Sequence, residues 1–169
     1  MKWQQDGTYY NIIQQYIHYI RKHYGMNVVV VFDGYGNGPS TKDHEHERKA
    51  KKSSPIVIFD ETKPVHRNQN DFPNNEINKK SFVWLLSQHL QHSGFKADQA
   101  RDDADTLIVK TALQIATAKE SVTVIADDTD ILVMLVHHFK TDMADIYMQS
   151  EITRHSTVRK QVTPIRAVW

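Results

Sequence analysis

The sequence contains no cysteine among its 169 residues. Disulfides, thiolate zinc sites and cysteine nucleophiles are therefore excluded, and a reducing compartment is the default expectation. No apolar run approaches the roughly 18 residues of a membrane span, and the start MKWQQDGTYY lacks the apolar core of a signal peptide. We therefore expect an intracellular protein, nuclear or cytoplasmic, without a membrane partner.

An excess of either charge is also absent. Lysine and arginine number 21 against 20 acidic residues, a formal net charge of +1. This balance does not indicate a strongly basic nucleic-acid binder, although a balanced total can hide a basic patch that faces an acidic one. With 40% hydrophobic residues, the chain is long enough for one sizeable core, and we expect a single domain over residues 1–150.

Hydrophobic periodicity predicts alternating helices and strands. Apolar residues at helical spacing predict helices at 8–24, 78–93, 103–118 and 130–138, the first with Thr8 as N-cap and Gly25 as stop. Apolar runs predict strands at 26–32, 56–59, 95–100, 122–126 and 143–148. This order predicts an α/β fold in which helices flank a mainly parallel sheet, with right-handed crossovers. The tyrosines of the first helix favour core packing over a base-stacking platform.

Three segments interrupt this pattern. Residues 41–52 are almost all charged, and their second half holds four cations within five residues. A solvated helix or disordered loop is the simpler interpretation of this arm, and a mobile basic arm that contacts phosphates is the sharper one. Residues 62–78 predict a polar exposed loop, and residues 151–169 a polar tail without a clear element.

Aspartates gather at predicted element boundaries: Asp33 after strand 26–32, Asp102, Asp103 and Asp105 at the start of helix 103–118, and Asp127, Asp128 and Asp130 after strand 122–126. Side chains that follow the carboxyl ends of strands in such a sheet converge on one rim, where ligands bind. Several carboxylates held together repel unless cations neutralise them. Hard oxygen ligands select magnesium, manganese or calcium, so the pattern predicts a divalent-metal site.

Helix capping is the simpler explanation of these aspartates, with a contribution of about 1 kcal/mol each. One aspartate per helix would satisfy it, whereas three at each of two helix starts exceed it. Metal-bound carboxylates without a cysteine or serine nucleophile motif indicate phosphate chemistry, in which one ion generates hydroxide and another stabilises the leaving oxygen. Asp60 and Glu61 also follow a predicted strand, but a turn is the favoured interpretation there.

Two other α/β classes place aspartates after strands. A phosphoaspartate phosphatase would have Asp-x-Asp-Gly-Thr, whereas Asp128-Thr129-Asp130 is followed by Ile131-Leu132. A response-regulator receiver would have an acidic pair after the first strand, and here only Asp33 follows it. Both fit poorly, and an acidic-site phosphatase stays open as a third hypothesis.

The order of the motifs resembles the nuclease core of the flap endonuclease and 5′-3′ exonuclease superfamily, which belongs to the PIN-like fold. The resemblance is carried by VVVVFDG at 28–34, the charged arm after it, DAD at 103–105 and ADDTDIL at 126–132. NKKSF at 78–82 and ADTLIV at 104–109 are similar to uncharacterised animal proteins with that core. The resemblance covers residues 8–150 and implies a three-layer PIN-like fold.

The resemblance also implies the roles of particular residues. Asp33, Asp103, Asp105, Asp128 and Asp130 match the acids that bind Mg²⁺ or Mn²⁺ and carry catalysis in the family. Lys42 and Arg48 lie about where the family's arm supplies basic residues to the scissile phosphate, and we expect the arm to bind substrate through Lys42, Arg48, Lys49, Lys51 and Lys52. The implied activity is hydrolysis of nucleic-acid phosphodiesters, with DNA favoured over RNA.

Two departures from the family separate the hypotheses. The family begins with a strand that ends in a metal-binding aspartate, and it continues into a helix-hairpin-helix region, and neither is found in this sequence. We expect a fragment or degenerate copy of the nuclease, in which another chain, self-association or the tail completes the sheet. The alternative is a catalytically inactive PIN-like module for nucleic-acid binding or protein assembly.

Overall fold

The computed structural model describes residues 3, 7–34, 55–65, 72–101, 103–154 and 157–168. Over these ranges the fold is mixed α/β, with four α-helices and two small sheets, so the predicted α/β class is confirmed. Among the described residues, two of the three strand pairings are parallel, and the strands lie in two small sheets, β1–β2 and β3–β4–β5. No helix within the described ranges has the length and apolar character needed to cross a membrane.

The chain divides into two compact units, Met1–Asp102 and Asp103–Trp169. The described elements of the first unit are α1 (Tyr9–Tyr24), β1 (Val29–Phe32), a 3-10 turn (Phe72–Asn74), α2 (Glu76–His92) and β2 (Lys96–Gln99). β1 pairs with β2 in parallel, with Val29 opposite Lys96 and Phe32 opposite Gln99. The predicted strand at 95–100 is confirmed, and β1 begins three residues later than predicted.

Helix α1 has both of its predicted ends. Thr8 and Asn11 form a capping box, in which Asn11 N–H donates to Thr8 Oγ1 at 3.4 Å and Thr8 N–H donates to Asn11 Oδ1 at 2.9 Å. Gly25 follows the helix with a φ of +79°, a left-handed conformation that glycine adopts without steric cost. Side-chain oxygens thus satisfy backbone donors that a helix start leaves unpaired.

The core of the first unit lies between these helices and one face of the β1–β2 pair. The buried side chains of α1 and α2 are Tyr9, Ile12, Ile13, Ile17, Phe82, Leu86 and Leu90, and Val30 and Phe32 of β1 pack against them. The ring of Tyr9 stacks on that of Phe59, with centroids 4.2 Å apart. Tyr9 is only 1% exposed and Tyr16 packs against the same core, so the core-packing interpretation holds for these two tyrosines.

The predicted strand at 56–59 is wrong. Residues 55–60 form no strand, and Ile56 and Ile58 are exposed while Val57 and Phe59 pack on the core. The reason lies in Asn78 on α2, whose Oδ1 accepts the Val57 N–H at 2.8 Å in place of a neighbouring strand.

The predicted polar loop at 62–78 needs a similar correction. Residues 66–71 lie outside the described residues, but Val65 and Phe72 are buried within the loop range, at 3% and 1% exposure. Helix α2 begins at Glu76, two residues before the predicted start, because Asn75 caps it by accepting the backbone N–H groups of Ile77 and Asn78. Short apolar anchors in a polar sequence gave no periodic signal.

Asn78→Ala should lower the free energy of unfolding by about 2 kcal/mol, because it leaves the partly buried Val57 N–H without its acceptor. The Asn78 side chain is fully buried and also donates to the carbonyl of Pro55 at 3.1 Å. Urea unfolding measures the loss, with exposed Asn74→Ala as the matched control, expected within about 0.5 kcal/mol of wild type. Equal effects of the two variants would contradict this account.

The second unit contains α3 (Ala104–Thr117), β3 (Val122–Ile125), α4 (Thr129–His138), β4 (Ile146–Arg154), β5 (Thr157–Pro164) and a 3-10 turn (Ile165–Ala167). The strand order is β3-β4-β5, with β3 and β4 parallel and β4 and β5 antiparallel. The two helices and β3 were predicted from their periodicity, and they lie within one residue of the predicted bounds.

One face of this sheet packs on α3 and α4. Val124 and Met148 are opposite one another in the β3–β4 register, and both are buried against the helices. The helices contribute Val109, Ala112, Ala116, Ile131 and Leu135 to the same core. The intervening strand residues Thr123 and Ile125 are exposed, so the alternation of the strand sets which face is covered.

The prediction that no element follows residue 150 is wrong. β4 continues to Arg154, and β5 pairs with it from Tyr147 opposite Pro164 to Arg154 opposite Thr157. Ile165, just after β5, is fully buried in the core of the second unit. The antiparallel pairing satisfies backbone groups that a polar tail would leave to water, and an edge strand needs few apolar residues.

Ile165→Ala should lower the free energy of unfolding by about 3 kcal/mol, because it opens a cavity in a packed core. The matched control is Val162→Ala on β5, where the side chain is 52% exposed and a change within about 0.5 kcal/mol is expected. Urea or thermal unfolding measures both. A loss at Ile165 no larger than the loss at Val162 would mean that residues 157–168 do not contribute to the core.

Candidate functional site

The carboxyl end of β3 is followed by three exposed aspartates. The backbone N–H of Ala126 still donates to the carbonyl of Gln149 on β4, at 3.1 Å, and the paired region ends there. Asp127 and Asp128 come next, and Asp130 lies in the first turn of α4. These carboxylates therefore lie where a parallel strand ends, the position that the sequence predicted.

Asp128 caps α4. It has extended backbone angles, φ −87° and ψ 127°, and its Oδ1 accepts the backbone N–H of Asp130 at 2.8 Å. A carboxylate at this position satisfies an unpaired donor and interacts favourably with the positive end of the helix dipole. The capping explanation considered for the aspartates therefore holds for Asp128.

Asp103 and Asp105 lie at the start of α3. Asp103 occupies the N-cap position with φ −113° and ψ 129°, but its side chain makes no capping hydrogen bond. Asp105 lies in the first helical turn, and both residues are half-buried. Capping by the side chain therefore does not account for Asp103, in contrast to Asp128.

The chain path brings these two groups to the same end of the second unit. At the other end, the Ala116 carbonyl near the end of α3 accepts the Ala144 N–H at 3.0 Å, and the Val122 N–H donates to the Asp145 carbonyl at 3.1 Å. Helix α3 therefore ends beside the beginnings of β3 and β4. Its 14 residues extend about 21 Å, against about 13 Å for the four residues of β3, so its start lies beyond the carboxyl end of that strand.

Several aspartates lie at this end of the unit, but the described residues do not form a complete metal site. Across the described ranges, no three His, Asp or Glu side chains are grouped so that they could hold a metal ion. The available donors are carboxylate oxygens, the type that Mg²⁺ and Mn²⁺ prefer. The chemistry of the donors fits these ions, but the described residues do not bring three such donor side chains together.

Asp33 belongs to the first unit, directly after β1. Its side chain is exposed, and Oδ1 accepts the Gly34 N–H at 3.1 Å. Gln99 at the end of β2 donates from Nε2 to the Asp33 carbonyl at 3.4 Å, so Asp33 lies at the carboxyl end of the parallel pair. Its predicted convergence with the acids of the second unit stays a prediction.

The predicted substrate-binding arm lies outside the described residues. This applies to Lys42, Arg48, Lys49, Lys51 and Lys52, and also to Asp102 of the first acidic cluster. Their roles stay predictions.

Asp60 and Glu61, the weaker acidic candidates, have structural partners. Asp60 Oδ1 accepts the Thr62 hydroxyl at 2.6 Å and the Thr62 N–H at 2.9 Å. These two hydrogen bonds, the hydroxyl first, lower the pKa of Asp60 below its usual range. Glu61 Oε2 lies 2.6 Å from Nε2 of His89 on α2. The turn interpretation fits both residues.

Gln149 is a polar residue at this end that sequence reasoning missed. It lies opposite Ile125, the last residue of β3, and its Nε2 is buried without a hydrogen-bond partner among the described residues. The predicted last strand ended at residue 148, so Gln149 was not predicted to lie in a strand. Recognition of the longer β4 would have placed an amide donor beside the end of β3.

Asp128→Ala should lower the free energy of unfolding by about 1 kcal/mol, because the Asp130 N–H loses its cap. Asp128→Asn should leave the free energy of unfolding within a few tenths of a kcal/mol of wild type, since asparagine caps a helix about as well as aspartate. Urea unfolding of the two variants separates the structural role of this side chain from any role of its charge. Equal destabilisation by both would show that the charge, not the cap, stabilises α4.

Three comparisons with known proteins complete the description of the site. No protein-family model, no curated protein and no solved structure matches this chain. The family resemblance therefore rests on the sequence motifs alone.

Proposed function

We propose that this chain is a PIN-like domain of the flap endonuclease and 5′-3′ exonuclease type, whose chemistry is metal-dependent hydrolysis of nucleic-acid phosphodiesters. The observation that carries the proposal is the placement of two pairs of aspartates in the second unit, at the start of α3 and after the carboxyl end of β3. Open α/β sheets bind ligands beyond the carboxyl ends of their strands. Asp103, Asp105, Asp128 and Asp130 are also the residues that carry the sequence resemblance.

The proposed cofactor is Mg²⁺ or Mn²⁺, held by these four aspartates. When bound, such ions generate a hydroxide nucleophile from water and stabilise the leaving oxygen. The chain itself supplies negatively charged oxygen donors at fixed element ends. The basic residues of the arm would attract the phosphate backbone, with DNA favoured over RNA in an intracellular, nuclear or cytoplasmic setting.

The finer fold that we propose is the three-layer PIN-like arrangement, in which helices flank mainly parallel strands. Two features support it. The β1–β2 and β3–β4 pairs are both parallel, and each has two helices packed on one of its faces. Parallel sheets occur almost only where both faces are covered, which favours a layered arrangement over isolated two-layer pieces.

A second candidate function is a catalytically inactive module that binds nucleic acid or assembles with other proteins. It is favoured by the absence, within the described residues, of any three-ligand metal group. The capping bond from the Asp130 N–H to Asp128 Oδ1 adds to this, because it gives one oxygen of that carboxylate a structural use. The fold and the basic arm would then be retained for binding alone.

Cleavage assays separate the two candidates. We expect the purified chain to cut flap, single-stranded or duplex DNA with Mn²⁺ or Mg²⁺, and Asp130→Asn to lower the rate by at least about 100-fold through loss of a charged group at the reaction centre. The matched control is Asp142→Asn, an exposed aspartate in the turn before β4, at the opposite end of the unit. The same substrates made of RNA test the preference for DNA.

Two outcomes decide against the enzyme. The first is that the wild-type chain and Asp130→Asn are equally inert. The second is that Asp142→Asn removes the activity as completely as Asp130→Asn does. In the inert case, nucleic-acid affinity that falls with salt and survives Asp103→Asn with Asp105→Asn would support the binding module. Turnover of a small phosphate ester with no cleavage of nucleic acid would support the third hypothesis, a phosphatase.

A further inference from the structure

Helix α4 carries apolar residues on every side. Its central six residues, 131–136, are all apolar. A helix that is apolar all round is normally covered on all sides. Ile131 and Leu135 are buried in the core of the second unit, whereas Val133 on the opposite side of the helix is 59% exposed. The outer side of α4 is therefore an apolar surface that faces solvent.

Four residues form one stripe on this outer side of α4. Asp130, Val133, Met134 and His137 follow one another at helical spacings, so they lie on the same side of the helix. The exposed Asp130 and His137 lie at its two ends, with the apolar pair between them. The stripe is thus symmetric about its midpoint in apolar character, and its two ends differ in charge. A second stripe of the same kind, running antiparallel, would match it at every position.

An open groove between α3 and α4 borders the stripe and shares Met134 with it. Val109 and Leu113 of α3 and Met134 of α4 give the groove an apolar floor, and its volume is about 440 Å³. Lys110 and His138 lie at its rim, and no aspartate or glutamate is among the described residues that line it. The groove therefore favours a helix whose apolar side chains are accompanied by an acid, as the stripe of α4 itself is.

We propose that this surface is the interface of a homodimer, in which the α4 helices of two copies pack antiparallel about a two-fold axis. Val133 and Met134 of one copy pack on the same pair of the other. His137 of each copy donates a ring N–H to the carboxylate of Asp130 of the other. A two-fold contact requires a surface that is complementary to itself, and the stripe meets this requirement. The antiparallel arrangement also places opposite ends of the two helix dipoles side by side.

The opposite charges at the two ends of the stripe favour a second copy over an unrelated helix, which would need only the apolar pair. The contact is one helix long, so we expect a weak dimer that forms at high protein concentration. This inference goes beyond the nuclease proposal and does not rest on it. Asp130 has two carboxylate oxygens, so a hydrogen bond to one of them leaves the other available to a metal ion.

Cysteine cross-linking tests the interface, because the chain contains no cysteine of its own. Val133→Cys places one thiol of each copy beside the two-fold axis. On mild oxidation it should form a disulfide-linked dimer at least about 10-fold faster than Trp84→Cys, because the dimer holds the two thiols close together. Trp84 on α2 is a matched control, since it is 62% exposed. Equal rates, measured on non-reducing gels, would overturn the proposal, because they would reflect random collisions.

Charge exchange tests the pairing at the ends of the stripe. His137→Asp places carboxylates of the two copies opposite one another, and it should raise the dissociation constant of the dimer at least about 10-fold. Adding Asp130→His restores the opposite charges and should recover most of this loss. Sedimentation velocity at rising protein concentration measures the dissociation constants, and circular dichroism verifies that the variants fold. A wild-type chain that stays monomeric at every concentration, or a double variant that recovers nothing, would overturn the proposal.

Discussion

The parallel pairing of β3 with β4 is the constraint on which the second unit depends. It places Val124 and Met148 side by side on the face covered by α3 and α4, and it leaves Thr123 and Ile125 on the other face. A slip of one residue would exchange these faces and expose the apolar set. The same register fixes the last paired residue of β3, and so the point at which its aspartates leave the sheet.

Two demands on the acidic side chains compete at that point. A helix start favours a carboxylate that accepts a backbone N–H, as Asp128 does from Asp130. A metal site needs oxygen atoms from several residues directed to one ion, and the ion must offset the repulsion between them. Asp103 occupies a cap position without making the capping bond. Helix capping explains Asp128. Only metal binding would require the aspartates at the starts of α3 and α4 to lie at the same end of the unit.

The sequence predicted elements whose signal is local and missed those that depend on distant partners. Helix α1 follows from Thr8, Gly25 and helical spacing, all within the segment itself. The strand predicted at 56–59 does not form. Its Val57 N–H is instead bound by the side-chain amide of Asn78, about twenty residues away, which no local pattern shows. β5 needs β4 as a partner and has little apolar character of its own. Positions of the acids at element ends were predictable for the same local reason, whereas their mutual distances depend on packing that no local pattern encodes.

The β1–β2 pair bears on the candidate site through Asp33. This residue follows β1 directly and is exposed, with local contacts to Gly34 and to Gln99 at the end of β2. Two-stranded sheets are marginal without further support, and here the support comes from α1 and α2 on one face. Metal ligands must be held within narrow limits, so the precision of Asp33 as a proposed ligand depends on how firmly α1 and α2 hold the β1–β2 pair.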